Sequence, residues 1–447
     1  MKKIVSLVLA LLMVFSVAAS LAELEITTEE ITLTYVSKED PELVQRLANQ
    51  FMQAYPNIKV EILELDIWTY MTGLGNLAAE KNLPDVFWVD GVQDPVANDW
   101  ALRLDDLYAA DPDAQRIMGS ILDGSKIGGR RYSIPVRSQP YVMAINKTLF
   151  DKYNVELPDY DWTWEEFVSL AEEVAHPEVY DFGYGDCGGA GYFIEEWGWD
   201  GESYTFDDTW VMMEEHWYDW MERKIQENMT PEERETAFGD SSALAFGTGH
   251  AAMNVYSSHF VGALLDGSLE QTLGCEFLFY PVPTPRGTQN SIVDFACISK
   301  ATKYPNEAWL LAKWMDWGRE ATLLRNEYFA EVMQDTGAIS LRVPILTDED
   351  LWVDTRANTS PRLDNFLENL PPLLPYMGAH APGHINCMIN YAFGGVGNSI
   401  LSGEKKPADL AAELRQKYNG YRDNWFASCA EFATATDLDI ATVSDAE

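Results

Sequence analysis

The chain has 447 residues, of which 71 are acidic and 31 are basic, giving a formal net charge of −40 at pH 7. So acidic a surface repels nucleic acids and anionic lipids, which argues against both as partners. At about 150 residues per domain, the length predicts two or three domains with ample core.

The first residues predict an export signal. Lys2 and Lys3 precede the apolar run Ile4–Val17, and Ser20-Leu21-Ala22 provides the small residues of a cleavage site. The run is too short for a membrane span. We therefore expect residues 1–22 to be removed and the mature protein to be exported, in a periplasmic or extracellular location associated with the cell envelope. No cysteine lies near the cut, so we expect no lipid anchor on a terminal cysteine.

The next segment alternates strands and helices. Ile31, Leu33 and Tyr35 alternate with threonines, as in a strand, and Asp40-Pro41 has the residue types of a helix start. The repeated strand–helix–strand pattern to Asp85–Val89 predicts a parallel sheet covered by helices. Ligands bind such sheets beyond the carboxyl ends of the strands. In this chain those ends are Ser37–Asp40, Leu65–Tyr70 and Asp90–Gln93.

The segment Gly128–Phe150 contains two β-patterned runs, Arg131–Val136 and Tyr141–Ile145. Arg137-Ser138-Gln139-Pro140 joins them, so the runs form either a hairpin or a passage between two bodies of the protein. No low-complexity linker is visible, which favours two bodies tied by several short crossings over domains on a string.

A second unit begins at Thr163–Glu166, which has the pattern of a helix capping box. A stripe of large side chains follows at helical spacing, and it indicates a core face more strongly than a binding platform. Its members are Trp210, Met213, Trp217 and Met221. A further helix is expected over Ile385–Leu401.

Motifs of catalysis and of cofactor binding are missing from the sequence. The glycine-rich stretch Phe182–Tyr192 lacks the spacing of a phosphate-binding loop, and neither H-E-x-x-H nor G-x-S-x-G occurs. Pro382-Gly383 separates His380 from His384, so a metal site there is not expected. We therefore predict a protein that is not an enzyme and that carries no cofactor or metal.

An ordered set of short motifs carries a family resemblance. They are Leu83–Phe87, the G-x-x-Y-x-I-P of Gly129–Pro135, the N-K-x-L-F of Asn146–Phe150, Thr163–Phe167, Phe246–Met253, Pro281–Gly287, Ile298–Lys300 and Leu401–Glu404. In this order and across nearly all of the mature chain, they resemble the extracellular solute-binding proteins of ABC importers, in the sugar-binding group that includes maltose-binding protein.

The resemblance implies an α/β chain with the two-lobed type II periplasmic-binding-protein fold. Its lobes would be joined by a hinge of three crossings, expected near Ser138–Tyr141, Gln289–Asp294 and Leu341–Leu346. Lobe one would then contain residues 23–139 and 293–343, and lobe two residues 140–292 and 344–447. The ligand would sit in the cleft between the lobes, and the segment Arg137–Tyr141 would bend as the cleft closes.

Candidate ligand residues in lobe one follow the predicted strands. Aromatic rings suit the apolar face of a sugar, and Trp68 and Tyr70 could provide them, although helix packing is the alternative. Asp90 and Gln93 could bond to hydroxyl groups, with a helix N-cap as the alternative for Asp90. Arg137 is expected near the floor of the cleft, where it would bind ligand or form a salt bridge to the opposite lobe.

Candidates in lobe two come largely from the resemblance. Tyr256 and His259 follow the Ala-Ala-Met strand, where related proteins often carry a stacking tryptophan, and its replacement here speaks against a maltose-like ligand. Tyr192, Trp197 and Trp199 lie around the glycine-rich loop and could provide an aromatic face, although a place in the wall of the core is the preferred alternative. Asn390 and Tyr391 correspond to positions where relatives often carry another ring contact.

The resulting hypothesis is an exported, monomeric solute-binding protein that captures a carbohydrate, an oligosaccharide or sugar derivative, and delivers it to an ABC permease. A secreted carbohydrate-active enzyme is the first alternative, since glycosidases also combine acids with tryptophans. The others are a binding protein for a solute that is not a sugar, and a sensor whose closed form docks on a receptor.

Overall fold

The computed structural model describes residues 24–185, 190–257, 261–339, 341–376, 378 and 380–433. The predicted signal at residues 1–22 and the candidate His259 lie outside these ranges. In the ranges described, no helix combines the length and the apolar character needed to cross a bilayer.

Two separate sheets organise the described chain. Sheet one has the order β10-β9-β3-β1-β2 with β4 also paired to β9, and sheet two has the order β6-β7-β5-β8. The strands are β1 Ile31–Val36, β2 Ile58–Ile62, β3 Val86–Val89, β4 Ile134–Pro140, β5 Val142–Asn146, β6 Phe182–Tyr184, β7 Ala251–Tyr256, β8 Phe277–Tyr280, β9 Gln289–Ile298 and β10 Leu373–Pro375.

Helices pack around both sheets. In the described residues they are α1 Pro41–Ala54, α2 Tyr70–Ala79, α3 Gln93–Ala97, α4 Asp105–Ala110, α5 Gly119–Gly124, α6 Lys147–Tyr153, α7 Trp164–Val174, α8 Asp208–Glu222, α9 Pro231–Phe238, α10 Gly262–Leu265, α11 Ser268–Leu273, α12 Pro305–Ala312, α13 Arg319–Thr336, α14 Glu349–Ala357, α15 Asp364–Glu368, α16 His384–Met388, α17 Val396–Leu401, α18 Pro407–Ser428 and α19 Ala430–Ala433. Single turns of π-helix follow α12 at Lys313–Trp317 and α16 at Ile389–Phe393.

The first strands form the parallel unit that the sequence predicts. β1 pairs in parallel with both β2 and β3. The Asp40 carboxylate accepts a hydrogen bond from the Glu42 amide and so caps α1, with Pro41 at its first turn. Alternation along β1 buries Ile31, Leu33 and Tyr35. The carboxyl ends of β1, β2 and β3 therefore meet at one edge of sheet one.

The two runs of Gly128–Phe150 lie in different sheets. β4 pairs antiparallel with β9 in sheet one, whereas β5 pairs with β7 and β8 in sheet two. Tyr141 alone separates the two strands. β4 also extends past the predicted end of its run, because its pairing with β9 continues to Pro140 and makes the expected polar bridge part of the strand.

Ser138 is the point where three distant segments meet. Its amide donates to the Val343 carbonyl at 3.1 Å and its carbonyl accepts from the Val343 amide at 2.8 Å. Its hydroxyl is hydrogen-bonded to that of Ser291 on β9. Each of the three segments predicted to cross between lobes therefore contributes a residue to this point.

Sheet two has its own aromatic core. The capping box of α7 forms as predicted, with the Thr163 side chain accepting from the Glu166 amide and Glu166 reaching back. Trp210, Met213 and Trp217 of α8 belong to the buried cluster on this sheet. The prediction of one continuous helix over Ile385–Leu401 is wrong. The π-turn and Gly395, at a φ of 81°, divide this segment into α16 and α17.

Parts of the C-terminal third pack on sheet one. β10 pairs with β9, and Phe432 of α19 lies 6.1 Å from the Tyr132 ring, centroid to centroid. Both segments fall within the range that the sequence assigns to lobe two.

Gly183 of β6 marks a place where sheet and helix approach closely. A Cβ atom at this position would lie 1.9 Å from the backbone oxygen of Ala171 in α7. We expect Gly183→Ala to lower the free energy of unfolding by about 1–3 kcal/mol, because the helix must move away. Urea unfolding of wild type and variant measures this change in the free energy of unfolding.

Gly420→Ala provides the matched control, since nothing lies within 4 Å of a Cβ atom there. It lies inside α18 and should be neutral or stabilising by up to about 1 kcal/mol. Equal effects of the two substitutions would contradict the close approach at Gly183.

Candidate functional site

A cavity of about 1140 Å³, the main cavity, opens at the carboxyl edge of sheet one. Its lining includes Ser37–Pro41 after β1, Leu63–Leu65 and Ile67 after β2, Asp90 after β3, Arg137 and Gln139 of β4, and Ile292–Asp294 of β9. Tyr376, Gly378, His384 and Met388 line it from the C-terminal third. The volume slightly exceeds the usual range for small-molecule sites, so a ligand of several rings fits.

A buried carboxylate forms the floor. Glu39 is 7% exposed and makes ion pairs with Arg137 and, at 2.9 Å, with Arg325. Burial alone would raise the pKa of Glu39, but the charges of Arg137, Arg325 and Arg342 outweigh it and hold the pKa at about 2. Glu39 is therefore ionised at every physiological pH.

Arg137 joins three strands at this floor. Its Nε donates to Asp294 Oδ2 of β9 at 2.7 Å, while its other end pairs with Glu39. The guanidinium carbon lies 5.1 Å from the Trp88 ring centroid, within cation–π range. Arg137 thus lines the cavity near its predicted position, and both of its carboxylate partners fall in the predicted lobe one rather than in the opposite lobe.

The π-turn Lys313–Trp317 supports the floor from below. Its Asp316 carboxylate accepts from Tyr35 Oη at 2.6 Å and from Trp88 Nε1 at 2.8 Å. Burial raises the pKa of Asp316 to about 6. Arg325 donates to the carbonyls of Met315 and Asp316 at 3.2 and 3.0 Å, so the turn also holds this guanidinium in place.

Arg342 is a lining residue that sequence reasoning missed. Its guanidinium carbon lies 3.7 Å from the Phe329 ring centroid. Burial lowers the pKa of Arg342 to about 9, and repulsion from Arg137 adds to the effect. The only sequence signal was its position within the third predicted crossing.

The rim of the cavity is polar and accessible. Asp90 pairs with Lys38, and its side chain is 59% exposed. It does not cap α3, whose N-cap residue is Val92. Lys38 Nζ also lies 5.1 Å from the Tyr70 ring, and burial lowers the pKa of Lys38.

The aromatic candidates of lobe one differ in exposure. Tyr70 lines the cavity, yet it is only 2% exposed and its hydroxyl donates to the Val36 carbonyl at 3.3 Å. Trp68 is 91% exposed and stands beside the lining residue Ile67. Gln93 is not part of the lining. It donates instead to the carbonyls of Gly378 and Ala381, both at 3.0 Å.

The candidates of lobe two do not line the main cavity as far as the described residues define it. Tyr192 packs edge-on against Tyr141 at 5.0 Å, and the Tyr256 ring lies 5.4 Å from that of Phe246. Asn390 is in the π-turn after α16, and its buried Oδ1 has no hydrogen-bond partner in the described structure. His259 falls outside the described residues.

The part of the lining around Tyr376 and His384 was not predicted from the sequence. Glu196 Oε2 accepts from Tyr376 Oη and is within hydrogen-bond distance of His384 Nε2, both at 3.2 Å. Glu196 could not be singled out from the sequence, because the chain has 71 acidic residues. In the sequence, His384 was considered only for a metal site. In the structure its imidazole contacts Glu196 instead.

Comparison with known proteins gives a family match over most of the chain. The model of the bacterial extracellular solute-binding protein family matches residues 36–315.

Solved structures with similar folds cover most of this chain and nearly all of their own. A cyclic α-maltosyl-1,6-maltose binding protein from Arthrobacter globiformis has a TM-score of 0.65 and 17% identity, covering 88% of this chain and 99% of that one. The sugar-binding protein MalE from Xanthomonas citri has a TM-score of 0.64 and 14% identity, covering 88% of this chain and 98% of its own. A sugar transporter from Rhizobium etli in an open conformation has a TM-score of 0.63 and 18% identity, covering 87% of this chain and 99% of its own. The shared architecture confirms the predicted two-lobed α/β fold.

Glu39 provides a test of the floor. We expect Glu39→Gln to lower the free energy of unfolding at pH 7 by about 3 kcal/mol or more, because two buried guanidinium groups lose their counter-charge. The pKa of Glu39 is depressed from 4.5 to about 2, so its contribution is present above about pH 4.5 and is lost as the pH falls towards 2. The stability difference between wild type and variant should shrink across that window in urea unfolding.

The control is Glu64→Gln, an exposed glutamate lining the same cavity. It should change stability by less than about 0.5 kcal/mol at any pH. A difference between wild type and Glu39→Gln that stays constant down to pH 2 would contradict the ion-pair account.

Proposed function

Since the chain belongs to the bacterial extracellular solute-binding protein family, we propose that it captures a carbohydrate in the main cavity and delivers it to an ABC permease. The observation that carries the carbohydrate assignment is the main cavity's combination of hydrogen-bonding side chains and aromatic rings. Sugars present hydroxyl groups at their edge and apolar faces, which suit this combination.

The polar groups of the cavity divide into a floor and a rim. At the floor, Arg137 is occupied by Glu39 and Asp294. At the rim, Asp90 keeps much of its surface open to solvent. A ligand would therefore bond to the accessible rim groups while the floor keeps its shape.

Aromatic groups flank the same space. Trp88 and Tyr376 line it, and the exposed Trp68 directly follows the lining residue Ile67 in the chain. Among described residues, Trp68 has the surface that a stacking platform needs. The relatives described above are named for sugar or maltosyl ligands, which supports the same class of ligand for this chain.

We further propose the predicted domain map, with lobe one at residues 23–139 and 293–343 and lobe two at residues 140–292 and 344–447. The meeting of Ser138, Ser291 and Val343 supports a hinge at that point. Ligand that contacts both lobes would favour the closed form, and closure would signal to the permease. The protein would act without catalysis, as a monomer, after removal of residues 1–22 and export to the periplasm or cell exterior.

The function is tested by isothermal titration of the mature protein with a panel of oligosaccharides and sugar derivatives. At least one should bind with a Kd in the micromolar range or below. Binding of an amino acid, peptide or polyamine with no response to any sugar would overturn the carbohydrate assignment. Turnover of a glycan would instead favour the carbohydrate-active enzyme.

Trp68 tests the stacking platform. We expect Trp68→Ala to weaken binding of the sugar identified by titration about tenfold or more, since it removes an exposed ring next to the lining residue Ile67. The thermal midpoint should not fall, because the side chain is 91% exposed.

Tyr180→Ala serves as the control, because Tyr180 is an aromatic residue that is 37% exposed and is not part of the cavity lining. It should leave the affinity unchanged. Equal affinities of wild type and Trp68→Ala would remove Trp68 from the site.

A further inference from the structure

A second cavity of about 440 Å³ lies beside α8, and we call it the Trp217 cavity. One stripe of α8 lines it through Trp210, Glu214, Trp217 and Met221, at successive spacings of one helical turn. Trp197 and Tyr391 line it from neighbouring segments. It is of the size of a small-molecule site, and the proposed carbohydrate function does not use it.

The walls of the Trp217 cavity are rich in aromatic rings. Three indoles and the phenol of Tyr391 line it, and the rings of Trp197 and Tyr391 lie 5.7 Å apart, centroid to centroid. Such rings carry negative charge on their faces and attract cations at up to about 6 Å.

The polar lining is acidic. It includes Glu196, Glu214 and Glu227, and none of its described residues is a lysine or an arginine. Glu227 is already bonded to Arg234 Nε at 3.0 Å and to the Ala245 amide at 2.7 Å. Glu214 is buried and accepts from Tyr391 Oη at 2.9 Å, without a cationic partner among the described ion pairs.

The burial of Glu214 makes its carboxyl group hold a proton more strongly than an exposed glutamate does. Burial raises the pKa of Glu214 to about 7, the hydrogen bond from Tyr391 opposes the rise, and the charge of Glu196 adds to it. A cation placed in the cavity would supply the missing counter-charge.

An indole donor in the same wall also lacks a partner. Trp217 is 2% exposed, and its buried Nε1 has no hydrogen-bond partner in the described structure. An N–H group left unpaired in the interior costs free energy that an acceptor on a ligand would recover. The cavity thus offers a place for positive charge, and the unpaired indole N–H belongs to one of its lining residues.

We propose that the Trp217 cavity is a second binding site, specific for a small organic ammonium ion that also carries an oxygen acceptor. The aromatic rings and Glu214 bind the ammonium group, and Trp217 Nε1 donates to the oxygen. The site is separate from the main cavity, with Glu196 between them, since its carboxylate lines the Trp217 cavity and bonds to Tyr376 and His384 of the main one.

A pair of matched probes tests the proposal on the unaltered protein. Choline carries a fixed positive charge and a hydroxyl group, and 3,3-dimethyl-1-butanol has the same shape with a carbon in place of the nitrogen. Titration calorimetry should detect choline binding, with the neutral alcohol at least about tenfold weaker. Equal binding of both, or no binding of choline at millimolar concentration, would overturn the proposal.

Two substitutions then locate the site. Glu214→Gln keeps the shape of the side chain and should weaken choline binding about tenfold, whereas Glu215→Gln, its exposed neighbour on α8, should have no effect. Trp217→Phe keeps an aromatic ring without the N–H and should weaken choline more than tetramethylammonium, which has no oxygen. Choline binding that survives both Glu214→Gln and Trp217→Phe would exclude this cavity as the site.

The carbohydrate titration separates this proposal from the proposed function. Glu214→Gln should leave the affinity for the sugar unchanged, and Trp68→Ala should leave choline binding unchanged. Loss of choline binding in Trp68→Ala would move the ammonium ion into the main cavity and overturn the second site.

Discussion

The buried carboxylate of Glu39 is the constraint on which the main cavity depends. A lone charge at that depth would cost several kcal/mol, so it persists only with guanidinium groups around it. Arg137 comes from β4 and Arg325 from α13, while Glu39 follows β1. The pairing therefore joins three elements that no short-range interaction brings together. It fixes the carboxyl edge of sheet one as a rigid floor.

A floor whose charges are already paired recognises ligands differently from one with free arginines. Arg137 gives its donors to Glu39 and Asp294, so a ligand that displaced them would have to replace two carboxylates. Discrimination between ligands therefore falls to the rim. Ser138 follows Arg137 directly and joins β9 to the segment of Val343. The rigid floor thus lies next to the meeting point of the predicted crossings.

Local patterns predicted the framework and the edge where the cavity lies. The parallel unit could be predicted from the alternation in β1, the Asp40 cap and the run Val86–Val89. The ends of its strands then identified Tyr70, Asp90 and the segment around Glu39 as candidates for the cavity. The pairing of Glu39 with Arg325 spans 286 residues, and no local pattern carries such a contact. The π-turns at Asp316 and Asn390 were not predicted, because a single turn of five residues is too short for its periodicity to be told from that of an α-helix. The contacts of Tyr376 and His384 with Glu196 span 180 and 188 residues, so local patterns could not predict them either.

The stripe on α8 shows how periodicity can indicate a face without resolving its use. The sequence pattern grouped Trp210, Met213, Trp217 and Met221 as one apolar face, typical of a core. Adjacent residues on a helix point about 100° apart, so Met213 and Glu214 face different surroundings. In the structure Met213 is buried in the aromatic core, whereas Glu214 lies with Trp210, Trp217 and Met221 on the cavity. The same tryptophans belong to both surfaces, because an indole is wide enough to pack with one edge and line a cavity with the other. Glu214 is the carboxylate within this aromatic stripe, and its presence distinguishes the proposed binding surface from an ordinary core face.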